Sequence, residues 1–305
     1  MTEGRCCVPV RAAGGEAPAR VGPSRHPVPF RWCAIPAGRF RMGAAEGEGF
    51  PGDHEGPVRE AELPSFAVSA YAVTNAQFAD FVRETGYRTD AERHNWSYVF
   101  VGAVPERLLG GIARAPAGTP WWLPVPRAYW AQPEGPGSSV LDRTRHPVVH
   151  VSWNDAVAFC AWAGTRLPTE AEWERAARGG LEGALYPWGD DLTPDGQHRC
   201  NIWQGSFPTR NTAEDGYAGT APVDAFPPNG FGLHNVSGNV WEWCSPLPSP
   251  GDPAPPPADA ATRPLRGGSF LCHASYCNRY RLAARTVNTP DTSAANIGFR
   301  VAGPV

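Results

Sequence analysis

The sequence predicts an α+β domain with little regular secondary structure, and three observations carry that expectation. Gly and Pro number 34 each among 305 residues, about 22% of the chain against roughly 12% in average usage. Apolar runs are short and bounded by Gly, Pro, Asn or Asp, which suits brief strands and helices and excludes coiled coils and long helical repeats. Yet 42% of residues are hydrophobic and 12 are Trp, enough to bury a core, so the punctuation marks ordered loops rather than disorder. No apolar run approaches the ~20 residues of a membrane span, and Met1 to Cys7 has no apolar stretch of signal-peptide type. A cytoplasmic protein is therefore expected. Lys plus Arg is 27 and Asp plus Glu is 30, a net charge of −3, which offers no global basic surface to nucleic acid or membrane lipid. Eight cysteines are too dilute for a disulfide scaffold, and in a reducing compartment a close pair reads as metal-binding or redox-active.

Along the chain, residues 1–27 are Ala, Gly, Pro and Arg-rich without periodicity and are expected to form a flexible N-terminal tail. Residues 28–305 are expected to form one domain. Phe30 to Gly43 reads as two short strands around a Pro/Gly turn, and Phe66 to Val73 as a further strand. Thr74-Asn75 can cap a helix carrying Phe78, Phe81 and Val82. Between Arg88 and Arg145 no periodic segment exceeds a few residues, so ordered, aromatic-rich loops are expected there. Ser152 or Asn154 can cap a helix bearing Ala156, Phe159, Cys160 and Trp162 and stopped by Gly164. Thr169 with Glu172 forms a capping box for a helix from Glu170 to Arg178, ended by Gly179-Gly180. From Tyr186 onward every apolar run is interrupted, and Pro246 to Pro257, with seven Pro in twelve residues, reads as an exposed polyproline-like insertion.

Two stretches carry chemistry. Gly267 to Tyr280 holds Cys272 and Cys277, five positions apart among Ser269, His273, Ser275 and Tyr276. Such a pair could be inert or a plain disulfide, bind a soft metal, or supply a nucleophile. Two thiolates suit a two-coordinate Cu(I) better than zinc, which wants four ligands and finds no second Cys or His pair nearby. The second stretch is Phe231 to Trp243. Its Asn and Glu side chains and kinked backbone carbonyls are hard oxygen donors of the kind Ca²⁺ takes, although two Asn-Gly turns before a strand read the same way. Asn201-Ile202 with Asp215-Gly216-Tyr217 is a weaker candidate of the same type.

Four blocks, Arg166 to Glu174, Gly230 to Trp243, Arg266 to Ser269 and Asn296 to Arg300, resemble the signature blocks of the sulfatase-modifying factor superfamily, in its order. Cys272 to Arg281, with Ala283 to Arg285 and Asn288 to Asp291 behind it, is similar to the formylglycine-generating enzymes within it. The resemblance implies a single compact domain related to the C-type lectin fold. It also implies a reaction: an O₂-dependent oxidation of the Cys in an unfolded Cys-X-Pro-X-Arg segment of a sulfatase to Cα-formylglycine, with an external thiol supplying electrons.

By the same resemblance, Cys272 and Cys277 would hold Cu(I), with the substrate thiol as third sulfur. Ser269 and Tyr276 would lie beside that site and Trp241 would border an oxygen pocket. Structural calcium would be held by Asn201, Ile202, Asp215 and Tyr217 at one site and by Asn235, Gly238, Val240 and Glu242 at another. Loops near Trp96-Ser97-Tyr98 and Trp121-Trp122 would line the peptide groove. Secretory-pathway members carry two disulfides for which this chain has Leu282 and Val301 in place of cysteine, in keeping with a reducing cytoplasm. Two other readings remain: a non-haem iron sulfoxide synthase, which needs a His-rich facial site, and a lectin-like binding module in which Cys272 and Cys277 form a disulfide.

Overall fold

A computed structural model describes residues 8–11, 21–50, 52–116, 118–246 and 262–304. The strand pair expected at the start of the domain is present as β1 (Trp32–Ile35) and β2 (Gly38–Met42), but the two do not pair with each other across Pro36. Instead β2 forms a hairpin-like pair with β3 (Arg59–Leu63), and β1 pairs antiparallel with β4 (Phe66–Ser69). Thr74 then caps α1 (Asn75–Thr85) through a capping box with Gln77, and Gly86 closes it in the left-handed conformation.

The region expected to be loops contains short elements: α2 (Asp90–His94), β5 (Trp96–Phe100), α3 (Glu106–Leu109) and β6 (Trp122–Pro126). β5 and β6 pair antiparallel, with Tyr98 opposite Pro124 and Trp96 opposite Pro126. Those prolines hide the strand from a sequence reading, because Pro in a run argues against a ladder, and they are tolerated here in a two-stranded pair. α4 (Trp153–Ala163) is capped by Ser152 rather than Asn154, and α5 (Glu170–Arg178) by Thr169, with Gly164 and Gly179 as left-handed stops.

The remaining strands are β7 (Gly205–Ser206), β8 (Arg210–Asn211), β9 (Trp241–Trp243), β10 (Arg263–Arg266), β11 (Arg285–Asn288), β12 (Ile297–Gly298) and β13 (Ala302–Gly303). β13 joins the far edge of β4, so the end of the chain closes the sheet its beginning opened. A second sheet runs β11-β10-β9-β12, with β9 and β12 parallel and the other pairs antiparallel.

Aromatic side chains hold these pieces together. Phe159 on α4 stacks on Phe78 at 5.9 Å and meets Phe81, Trp162 and Phe299 edge-on or tilted at 5.3 to 5.6 Å. Where layers meet, buried charges are paired: Arg300 grips Glu242 through Nε (2.6 Å) and Nη2 (2.8 Å), and Arg266 and Arg178 converge on Glu174. Among the described residues no helix is long and apolar enough to cross a membrane. Of the expected tail, residues 8–11 lie against β5 and the 288–292 turn, with Val8 and Arg11 buried. Of the Pro-rich stretch, residues 247–257 lie outside the described residues.

Candidate active site

β10 ends at Arg266, and the chain then turns through Gly267 (φ 93°) and Gly268 (φ 73°). At Gly268 a Cβ would lie 2.5 Å from the Arg279 carbonyl oxygen, so only glycine lets residues 267–269 cross so close to 279–280. That crossing brings the two ends of the cysteine stretch together. The Cys272 amide donates to the Ser269 carbonyl (2.9 Å) and the Ser269 amide to Cys272 Sγ (3.4 Å). The amides of Tyr276, Cys277 and Asn278 all donate to the His273 carbonyl, at 3.0, 3.0 and 3.2 Å. Two consecutive turns result, both directing a thiol inward.

Cys272 and Cys277 are fully buried in one apolar cluster that includes Trp203, Trp241, Phe270 and Tyr280, and neither is bridged to another described cysteine. Burial pushes the pKa of the Tyr280 hydroxyl well up, and the charges of Tyr186, Cys200, Cys272 and Cys277 push the same way. Two buried thiols make a soft donor pair, which fits Cu(I). No group of three or more His, Cys, Asp or Glu among the described residues is placed to hold a metal ion, so a facial His site does not form there.

The other expected residues surround the pair. Ser269 Oγ is fully buried and accepts from Asn296 Nδ2 at 2.9 Å. Trp241, in β9, donates its amide to the Asn296 carbonyl (2.8 Å), while its indole N–H is buried with no hydrogen-bond partner. Tyr276 stacks on Phe207 at 4.5 Å and meets Trp121 edge-on at 4.8 Å. Asn296 and Phe207 were not singled out in the sequence. Asn296 had a signal, since it opens the Asn296 to Arg300 block, whereas Phe207 had none.

The calcium candidates fall side by side, because Asn201 and Gly238 form a parallel bridge and the Asn239 amide donates to the Asn201 carbonyl (2.8 Å). In the first set Asp215 accepts from the amides of Ile202 and Tyr217 (both 2.9 Å), and Asn201 Oδ1 is buried without a partner. Gln204 Nε2 sits between the Ile202 carbonyl (2.5 Å) and Asp215 Oδ2 (2.8 Å), while its own Oε1 is buried and unpartnered. The Ile202 carbonyl and Asp215 Oδ2 thus converge on one point, held here by the Gln204 amide, and hard oxygen donors gathered in this way are the kind calcium takes. The first set therefore fits calcium. In the second set Asn235 Oδ1 is also an orphan, but Glu242 is bidentate to Arg300 and accepts from Trp173 Nε1 (2.7 Å). Together with Gly238 and Val240, that set offers no uncommitted carboxylate, so it does not fit calcium on the same terms.

A fold of short sheets and capped helices around a buried thiol pair defines a class. Residues 23–304 match the sulfatase-modifying factor enzyme 1-like domain, and the chain belongs to that family. Its relatives there carry a more particular name. It is 61% identical to the formylglycine-generating enzyme of Thermomonospora curvata, over 88% of this chain and 92% of the relative. It is 56% identical to that of Streptomyces coelicolor, over 96% of each. It is also 49% identical to the inactive C-alpha-formylglycine-generating enzyme 2 of Bos taurus, over 88% of this chain and 86% of that one. Among solved structures, PvdO from Pseudomonas aeruginosa superposes with a TM-score of 0.65 at 23% identity, covering 96% of this chain and all of the other. The resemblance drawn from the motif blocks is thus borne out, as is the mixed α and β fold class.

Proposed function

We propose that this chain oxidises the cysteine of a Cys-X-Pro-X-Arg segment in a sulfatase polypeptide to Cα-formylglycine, using O₂ and a thiol reductant. Family membership alone does not carry this, because a relative named inactive is nearly half identical. The observation that does is the pair of buried, unbridged thiols, Cys272 and Cys277, held inward by two turns beside Ser269. These thiols would hold Cu(I), which when bound supplies the one-electron and O₂ chemistry that amino-acid side chains lack. The substrate cysteine gives up two electrons and the external thiol two more, which together reduce O₂. Both oxygen atoms of O₂ end in water, and a water supplies the aldehyde oxygen as sulfur leaves as sulfide.

The chain's own residues position and exclude. Ser269 Oγ, held by Asn296, and the unpartnered indole N–H of Trp241 are the polar atoms available to orient water or oxygen beside the thiols. Tyr276, Phe207 and Trp121 form an aromatic wall that keeps bulk water from a reactive sulfur. Calcium at Asn201, Ile202, Asp215 and Tyr217 would be structural, and the reducing cytoplasm is the proposed setting. The sulfoxide-synthase reading lacks its His cluster among the described residues, and the binding-module reading lacks its disulfide.

The test is incubation of a short Cys-X-Pro-X-Arg peptide with the protein, Cu(I), O₂ and a thiol, followed by mass spectrometry for the aldehyde. Conversion is expected, and Cys272→Ala or Cys277→Ala should abolish both turnover and tight Cu(I) binding while the circular dichroism spectrum is kept. Full turnover in either variant overturns the bis-thiolate site.

A further inference from the structure

Residues 7–11 of this chain read Cys7-Val8-Pro9-Val10-Arg11, which is itself a Cys-X-Pro-X-Arg segment. Its described part, residues 8–11, is seated by the domain in a manner that reads that pattern. Asn288 Nδ2 donates to the Pro9 carbonyl (2.9 Å) and the Tyr98 hydroxyl to the Val10 carbonyl (3.2 Å). The Arg11 amide donates to Thr292 Oγ1 (2.9 Å), and Thr289 Oγ1 donates to the Arg11 carbonyl (3.3 Å). These are side chains reading main chain, so they tolerate any residue at the two X positions. Position 9 needs no amide partner, and Pro has no amide to satisfy.

Arginine, by contrast, is read as a side chain. The Arg11 guanidinium lies 3.8 Å from the centroid of the Trp96 ring, donates Nη2 to the Trp96 carbonyl (3.1 Å) and is 5% exposed. Burial lowers the pKa of this guanidinium, and the charges of Asp291, Asp90 and Asp155 act against that shift. A buried arginine costs free energy unless a site is built for it, and a stretch of chain without a role would leave it in water. At the other end, Val8 belongs to the same apolar cluster as Cys272 and Cys277, and Cys7 is bonded to Val8. Residues 12–20 connect this segment to Val21 on the domain, and nine residues can span ~30 Å when extended.

We propose that the chain is its own substrate, with Cys7 oxidised in cis to Cα-formylglycine at the Cys272–Cys277 centre. This rests on the function proposed above and uses the same co-reactants: O₂ takes two electrons from Cys7 and two from an external thiol and leaves as two waters, while one water replaces the sulfur of Cys7, which leaves as sulfide. The tethered segment reaches the site at an effective concentration near millimolar, so an added sulfatase peptide must compete with it for Trp96 and the 288–292 turn.

The experiment incubates the full chain with Cu(I), O₂ and thiol, with and without an added Cys-X-Pro-X-Arg peptide. It then follows the tryptic peptide Cys6–Arg11, or Cys6–Arg20 in Arg11→Ala, by mass spectrometry and by capture with an aminooxy probe. The expected result is aldehyde at Cys7, formed at a rate unchanged by tenfold dilution of the protein, absent in Cys272→Ala and slowed at least tenfold in Arg11→Ala. Cys7→Ser should take no label in this peptide yet still convert the added peptide, and Arg11→Ala, which loses the contacts to Trp96, should convert the added peptide with KM lowered severalfold. If the added peptide is converted while Cys7 stays a thiol, self-modification is overturned and the function proposed above stands. If neither is converted, both fall. A Cys7 rate that rises with protein concentration overturns reaction in cis.

Discussion

His150 is fully buried, at a positive φ of 59°, with Nε2 2.8 Å from the Pro133 carbonyl and Nδ1 2.8 Å from Ser97 Oγ. A carbonyl only accepts, so in the neutral ring Nε2 carries the proton and Nδ1 accepts from Ser97, which in turn lies 2.8 Å from Ser293 Oγ. Burial holds the imidazole well below its ordinary 6.5, at about 4. The folded state therefore binds fewer protons than the unfolded state between those two values. The stability this provides is complete above pH 6.5 and is lost as pH falls toward 4. Lowering the pH from 7 to 5 should cost about 2 kcal/mol from this residue, and His150→Asn should show a smaller drop in urea midpoint over that range. An equal drop would remove His150 from the acid sensitivity. Nothing local singled out this histidine, since its partners Ser97 and Pro133 are remote in the chain. Cys272 and Cys277 were legible because their spacing is itself the signal.

Helix ends were the most legible elements. Thr74, Ser152 and Thr169 each accept from the backbone amide three residues on while the residue there bonds back, and each helix stops at a left-handed glycine. Caps act within one turn, so a few letters suffice to read them. At Thr169 the box is reinforced, because Glu172 is also bidentate to Arg166 at 2.6 and 2.7 Å. Thr169→Ala should lower stability by about 1 kcal/mol, seen as a lower denaturant midpoint at unchanged slope. A change under a few tenths would mean that the Glu172–Arg166 pair alone holds the turn. Strand partners were illegible by comparison. β1 and β2 adjoin across Pro36, yet β1 takes β4 and β2 takes β3, a choice set by which faces bury Ile35, Phe40 and Leu63 together.

For the whole molecule, irregular chain must be held in place by something other than long ladders. Aromatic clusters and buried ion pairs such as Arg300–Glu242 do part of this, and calcium at Asn201, Ile202 and Asp215 would clamp the loop from 201 to 217. Chelation should lower the melting temperature, and restoring Ca²⁺ but not Mg²⁺ should recover it. A melting curve indifferent to chelation would remove the calcium reading. Composition and local patterns sufficed to establish an ordered, loop-rich α+β domain, its helix ends and its thiol pair, since each depends on neighbours along the chain. Strand partners, the commitment of Glu242 to Arg300, the burial of His150 and the seating of residues 8–11 against Trp96 and the 288–292 turn were decided by tertiary packing. They join residues tens to hundreds of positions apart, and which buried polar group meets which is settled only when the cores close around them.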